Sequence, residues 1–220
     1  MRKRVKNWEE LINDGEQYGG NKAELSPAEK TIVECIKDKT VLKIQDKYAF
    51  SKTGQTLGED HGRELGKLLA GFSALKTVSS LIVTHNDLGP EGARYLSESS
   101  ILTQIVYLHL GSNNLGDEGV KILSQAGIFS NVEVLNLECN GITAEGAKAL
   151  AGSPVFAKVT SLNLVDNRVG DEGAMAIANS DTLRNLTYLH LGGNRIKSEE
   201  ARAALKNSPK LTRLQTLKIF

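Results

Sequence analysis

The chain has little cysteine, almost no net charge and no long apolar run. Its two cysteines, Cys35 and Cys139, stand far apart in 220 residues. They fall at unlike positions of the pattern described below, so no disulfide is expected and a reducing compartment is the better fit. Lys and Arg number 27 against 26 Asp and Glu, for a net charge of +1. That balance removes the usual electrostatic case for nucleic acid or an anionic membrane as partner. No apolar stretch is long enough to cross a bilayer. Met1-Arg2-Lys3-Arg4 is basic, but neither an apolar run nor a small-residue cleavage site follows, which argues against a Sec-type signal peptide. A cytoplasmic protein is expected. No Cys/His spacing suggests a zinc site, and no cofactor is implied.

What the chain has is periodicity. Asn86, Asn113, Asn140, Asn167 and Asn194 follow one another at intervals of 27 residues. Aliphatic residues stand eight, five and three places before each, as in Ile105, Leu108 and Leu110 before Asn113. Leu108 and Leu110 flank His109, the alternation of a strand whose neighbours point to opposite faces. One such strand cannot bury its apolar side, whereas stacked copies share a continuous core. The asparagines carry donors and an acceptor that can satisfy turn backbone between copies, so they are read as fold-building. The second half of each copy is helical: Leu88 to Ala93, Leu115 to Val120, Ile142 to Ala147 and Val169 to Ala174 align without a gap. Asp117, Glu118, Asp171 and Glu172 suit the first turn of a helix. The recurring Gly92, Gly119, Gly146 and Gly173 cost helix stability, which implies close helix–strand approach. Glu200 replaces that glycine in the last copy, consistent with a terminal repeat.

The period and the L-x-x-L-x-L-x-x-N frame mark a leucine-rich repeat. With the E-G-A element they resemble the ribonuclease-inhibitor-like subfamily, strongly over Leu75 to Phe220. The expected fold is an α/β solenoid: a horseshoe with a parallel β-sheet on the concave face, α-helices on the convex face and an N-terminal helical cap. Residues 1–40 are assigned to a tail and cap. Residues 41–220 are assigned to the repeat domain, with one degenerate repeat, five regular repeats and one truncated terminal strand. In the cap, Ser26-Pro27-Ala28-Glu29 starts a helix continuing through Thr31 to Lys39 over the open sheet edge. Trp8, Leu11 and Ile12 suggest a short amphipathic turn, broken by Gly19-Gly20. The degenerate repeat has its strand near Val41 to Ile44, an irregular loop over Asp46 to Thr56, and Leu57 to Gly62 as its helix start.

Function rests on the side chains that point away from the core. The middle row reads Ile82, His109, Asn136, Asn163, His190 and Gln215. The row before it reads Ser80, Tyr107, Val134, Ser161, Tyr188 and Arg213. The row after it reads Thr84, Gly111, Glu138, Val165 and Gly192. Tyr, His, Asn and Arg are types favoured at protein interfaces. Y-L-H-L-G occurs at Tyr107 to Gly111 and again at Tyr188 to Gly192, and each glycine is expected to leave a depression beside two rings. The partner-binding residues predicted are Tyr107, His109, Glu138, Asn163, Tyr188, His190 and Arg213. No catalytic set is found. His109 and His190 lie three strand steps, or roughly 14 Å, apart, and Cys139 has Ser112 and Asp166, not histidine, in the adjacent repeats. His61 and His85 read as loop residues. A broad curved sheet offers no deep pocket to a small molecule.

The resemblance implies a non-enzymatic protein-binding module that blocks or regulates a partner, an enzyme in some relatives, by occlusion. It also implies kinship with effectors of intracellular bacteria, delivered to a host cytosol by a non-Sec route. A scaffold using the convex helices through Lys121, Lys148 and Arg202 is the alternative. A Ran GTPase-activating role is disfavoured by the lack of an acidic C-terminal tract and a matching arginine loop. An immune-sensor role would need a nucleotide-binding domain.

Overall fold

Leu81, Leu108, Leu135, Leu162 and Leu189 are each flanked by side chains that stay half-exposed, and each is buried. That alternation sets the register of the sheet, because a one-residue slip would turn the leucines out to water. The computed structural model describes residues 26–37, 40–45 and 60–220. Eight strands form one sheet in chain order: β1 (Ile36–Lys37), β2 (Val41–Ile44), β3 (Ser80–Val83), β4 (Tyr107–His109), β5 (Val134–Asn136), β6 (Ser161–Asn163), β7 (Tyr188–His190) and β8 (Thr216–Lys218). β2 to β8 run parallel. Between them lie helices α2 (His61–Gly71), α3 (Gly89–Ser97), α4 (Gly116–Gln125), α5 (Ala144–Ala151), α6 (Gly170–Ala178) and α7 (Glu199–Lys206), preceded by α1 (Pro27–Cys35). Leu96, Leu123, Leu150 and Ile177 from the helices meet the strand leucines in one core that runs the length of the solenoid.

The asparagines close each strand as expected. Asn113 N–H donates to Asn140 Oδ1 at 3.1 Å, and Asn140 N–H to Asn167 Oδ1 at 2.9 Å. Each oxygen takes a second N–H, from Leu115 or Ile142, at 3.2 and 3.0 Å. Their amide nitrogens reach back one repeat, Asn140 Nδ2 to Leu110 O at 2.8 Å. All are buried, so every bond spares a backbone group the cost of dry isolation. Asn86, at the N-terminal end of this row, has its oxygen 3.2 Å from His61 Nε2. His61 is thus the first residue of α2, not a loop residue.

Helices enter in two ways. Gly116 takes φ +59°, which only glycine adopts cheaply, and its N–H donates to Asn140 O at 2.9 Å. Where Thr143 stands instead, the preceding repeat supplies an acid. Asp117 Oδ1 accepts the N–H of Thr143 (2.8 Å) and of Gly146 (2.9 Å), and Asp117 Oδ2 accepts the Thr143 hydroxyl at 2.6 Å. Asp171 does the same for Lys197 and Ser198, at 2.7 and 3.0 Å. These acids therefore hold the backbone that leads into the next helix, Asp117 reaching the helical Gly146 N–H as well, besides favouring their own helix dipole.

Several expectations are corrected. The recurring glycines allow helix to approach helix, not strand: a Cβ on Gly173 would lie 2.9 Å from Ala147 Cβ and 3.2 Å from Ala144 Cα of the preceding repeat. A terminal position therefore does not account for Glu200. Its exposure goes with α7 being capped by Ser198, one residue later in the frame than Thr143 caps α5. The cap helix forms with the full Ser26–Glu29 box, but it ends at Cys35. Ile36 and Lys37 then pair antiparallel with β2, so a hairpin strand, not the helix, covers the sheet edge. β2 pairs with β3 at a spacing of 39 residues, against 27 from β3 through β7, and this accommodates the predicted insertion. Asp46 to Thr56, the Leu57 start and the Met1 to Gly20 features lie outside the described residues. The final strand pairs at a slightly longer interval than the regular repeats: Tyr188 meets Thr216 and His190 meets Lys218, a spacing of 28.

Candidate functional site

The concave surface is built by the outward residues of β2 to β8. With the observed register its middle row reads Lys43, Ile82, His109, Asn136, Asn163, His190 and Lys218. Gln215 and Arg213 leave the face. Arg213 lies in the turn before β8, where its Nη1 donates to Asn185 Oδ1 at 2.9 Å. The expected rows set Arg213 and Gln215 at 25 residues after Tyr188 and His190, whereas the strands pair at 28, so Thr216 and Lys218 take those places. Lys43, Asn136 and Lys218 were missing from the predicted set. Lys43 follows from the strand reading at Val41 to Ile44, whereas Lys218 needs the corrected register.

The structure brings together His109, Asn136, Glu138 and Asn163. Glu138 Oε2 accepts from Asn163 Nδ2 at 2.8 Å and Asn136 Nδ2 at 3.4 Å, and its Oε1 lies 3.9 Å from His109 Nε2. Gly111 N–H stands 3.2 Å from His109 Nδ1 and Asn136 Nδ2 stands 3.3 Å from Nε2, two donors of which the neutral ring can accept one. The His109 pKa is lowered, chiefly by burial, against the raising effect of Glu138. Tyr188 and His190 form a second group: their rings meet edge-on at 6.2 Å, and Lys218 Nζ stands 5.7 Å from the Tyr188 ring centroid. Burial, then Lys218, lowers the His190 pKa.

The expected depressions are not open. A Cβ on Gly111 would lie 2.8 Å from Glu138 Cγ and 2.9 Å from His109 Cε1. At Gly192 it would meet His190 Nε2 and Phe220 O, both at 3.1 Å. These glycines let the chain's own imidazoles lie against the sheet.

The matching intervals extend to family level. A family model described as Leucine Rich repeat matches residues 74–97, 103–124, 130–151, 157–178 and 182–201. The chain is a leucine-rich repeat protein. Among solved structures, it is similar to an internalin from Listeria monocytogenes, with 24% identity and a TM-score of 0.44 over 67% of this chain and 36% of that one. The aligned part thus spans about a third of the internalin's length. A comparison with curated proteins finds no match.

The other surfaces of this leucine-rich repeat protein differ from the concave face. Along the rim, His85, Ser112, Cys139 and Asp166 each take positive φ just before their asparagine. Cys139 Sγ lies 4.0 Å from Asp166 Oδ2, and burial followed by that carboxylate pushes its thiol pKa up, away from a reactive thiolate. Among the described residues no three His, Cys, Asp or Glu side chains gather as metal ligands. On the convex face Glu64, Glu91, Glu118, Glu145, Glu172 and Glu199 form one row. Lys67, Arg94, Lys121, Lys148, Met175 and Arg202 form the next. Arg94 bridges Glu91 and Glu118, Lys148 bridges Glu145 and Glu172, and Arg202 pairs with Glu199. Hydrogen bonds to Glu145 and then Glu172 push the Lys148 pKa up to about 12.

Proposed function

We propose that this chain is a non-enzymatic binding module that seats a partner protein on its concave sheet. Leucine-rich repeats typically serve as interaction modules. The observation that carries the reading is the contrast between the two faces. On the convex face Arg94, Lys148 and Arg202 are taken up by glutamates, whereas on the concave face His109, Asn136 and Asn163 are held by bonds to backbone beside the rings of Tyr107, Tyr188 and His190. Fixed side chains lose little further freedom on binding, which favours contact there. A horseshoe enclosing an enzyme would occlude its active site, the mode of action we assign. Repeat length and the E-G-A helix start support a ribonuclease-inhibitor-like type. The exposed thiol of Cys139 fits a reducing cytoplasm, whether the chain's own or a host's after delivery.

Replacing Tyr107 and Tyr188 together by alanine should weaken a captured partner by about 2 kcal/mol or more, as interface aromatics do. Reversing Lys121, Lys148 and Arg202 to glutamate should leave that affinity in place. Calorimetry on both variants decides. Affinity unchanged in the tyrosine pair and lost in the reversal set would move the contact surface to the convex helices.

A further inference from the structure

The concave surface offers donors, and the cause is local. In β4, β5 and β6 the middle-row side chain gives its lone pair to the backbone N–H two residues on. His109 Nδ1 takes Gly111 N–H at 3.2 Å, Asn136 Oδ1 takes Glu138 N–H at 3.0 Å, and Asn163 Oδ1 takes Val165 N–H at 3.1 Å. What the two asparagines have left is an NH2 group each, and that of Asn136 stands 3.3 Å from His109 Nε2. The same row carries Lys43 at one end and His190 and Lys218 at the other. The only acidic side chain on the three concave rows of β2 to β8 is Glu138, and the donors of Asn163 and Asn136 already converge on it.

Resting on the reading that this face is the contact surface, we propose that the partner presents an acidic segment to it, with Asp or Glu carboxylates meeting the donor row between His109 and Lys218. Charge complementarity of this kind sets specificity and association rate. Glu138 then acts as an internal stand-in that holds the donors in position and tempers their charge. Discrete carboxylates fit better than a nucleic-acid strand. The two lysines stand at opposite ends of the row, and Glu138 would repel a continuous phosphate track between them.

The test is a random-peptide display selection on the full chain, followed by titration of the selected peptides synthesised singly. Selected peptides should be rich in Asp and Glu. Their affinity should rise several-fold with Glu138→Gln, which removes a charge and keeps an acceptor for Asn163. It should fall about tenfold, mainly through slower association, with Lys43→Glu and Lys218→Glu combined. Neutral or basic peptides that lose affinity in Tyr107→Ala/Tyr188→Ala would overturn the acidic partner and keep the concave reading. Peptides indifferent to that tyrosine pair would overturn both. A selection that enriches nothing, or an oligothymidylate that binds through Lys43 and Lys218, would also sink the proposal.

Discussion

His109 sits where burial and hydrogen bonding favour its neutral form. Its side chain is 17% exposed, and Gly111 N–H occupies Nδ1. With the folded pKa below the unfolded 6.5, the unfolded chain binds more protons between the two values. Stability contributed by the neutral ring is complete above pH 6.5, declines as pH falls through the window, and stops declining below the folded pKa. Urea unfolding above and below pH 6.5 should show this loss, and His109→Gln should shrink it. An unchanged loss would assign the effect to His190, whose pKa is lowered as well. Ser124 gives an opposite case. Its hydroxyl is buried without a partner, where the equivalent residues are Ala151 and Ala178. A dry hydroxyl left unpaired costs about 1–3 kcal/mol, so Ser124→Ala should raise the urea midpoint or leave it level. A clear fall would mean that the hydroxyl has a role the packing does not show.

At the scale of elements, helices stack at glycine-thin contacts. A methyl group on Gly173 would also meet Val169 Cγ1 at 2.7 Å. The nearby Ala144 backbone cannot turn aside as a side-chain tip can, so Gly173→Ala should cost about 1–3 kcal/mol despite the better helix propensity of alanine. Gly71, at the end of α2, has nothing within 4 Å of an added Cβ, and Gly71→Ala should be neutral or stabilising. Thermal melts of the two variants set the comparison, and equal losses would refute the stacking account. The sequence showed that these glycines mark a close approach but not which element approaches, because a one-dimensional interval does not say which neighbour a helix faces. Strands and core were legible for a plain reason: one leucine in two must point inward, and the interval repeats. The site was half legible. Tyr107, His109, Glu138, Asn163, Tyr188 and His190 stand on the predicted face, since alternation alone places them there. Thr216 and Lys218 stand where Arg213 and Gln215 were expected, because the last strand pairs at a spacing that the regular interval does not announce. The donor character of the row depends on side-chain to backbone bonds that spacing does not reveal.

Across the whole molecule, each repeat touches only its neighbours, so stability is a chain of nearest-neighbour terms. The two sides of the sheet are unequal in that scheme. β2 is covered by β1 and packed by α1, whose Ile32 is fully buried. Among the described residues β8 has β7 as its one neighbour in the sheet. Leu214 and Leu217 stay partly exposed, whereas Leu186 and Leu189, one repeat earlier, are fully buried, and Phe220 is 86% exposed. Opening should therefore begin at β8 and α7 and move inward. Hydrogen exchange read by mass spectrometry should find protection highest over β4 to β6 and lowest at β8, with the β2 side intermediate. Equal protection throughout would mean one cooperative unit and would defeat the nearest-neighbour description. The gradient bears on binding, because Tyr188, His190 and Lys218 lie in the outer, easily opened half. A partner seated across β7 and β8 binds only their closed form and so stabilises it by mass action. Its addition should raise protection most at β8, whereas a partner held on the convex helices would leave the exchange of that strand as it was.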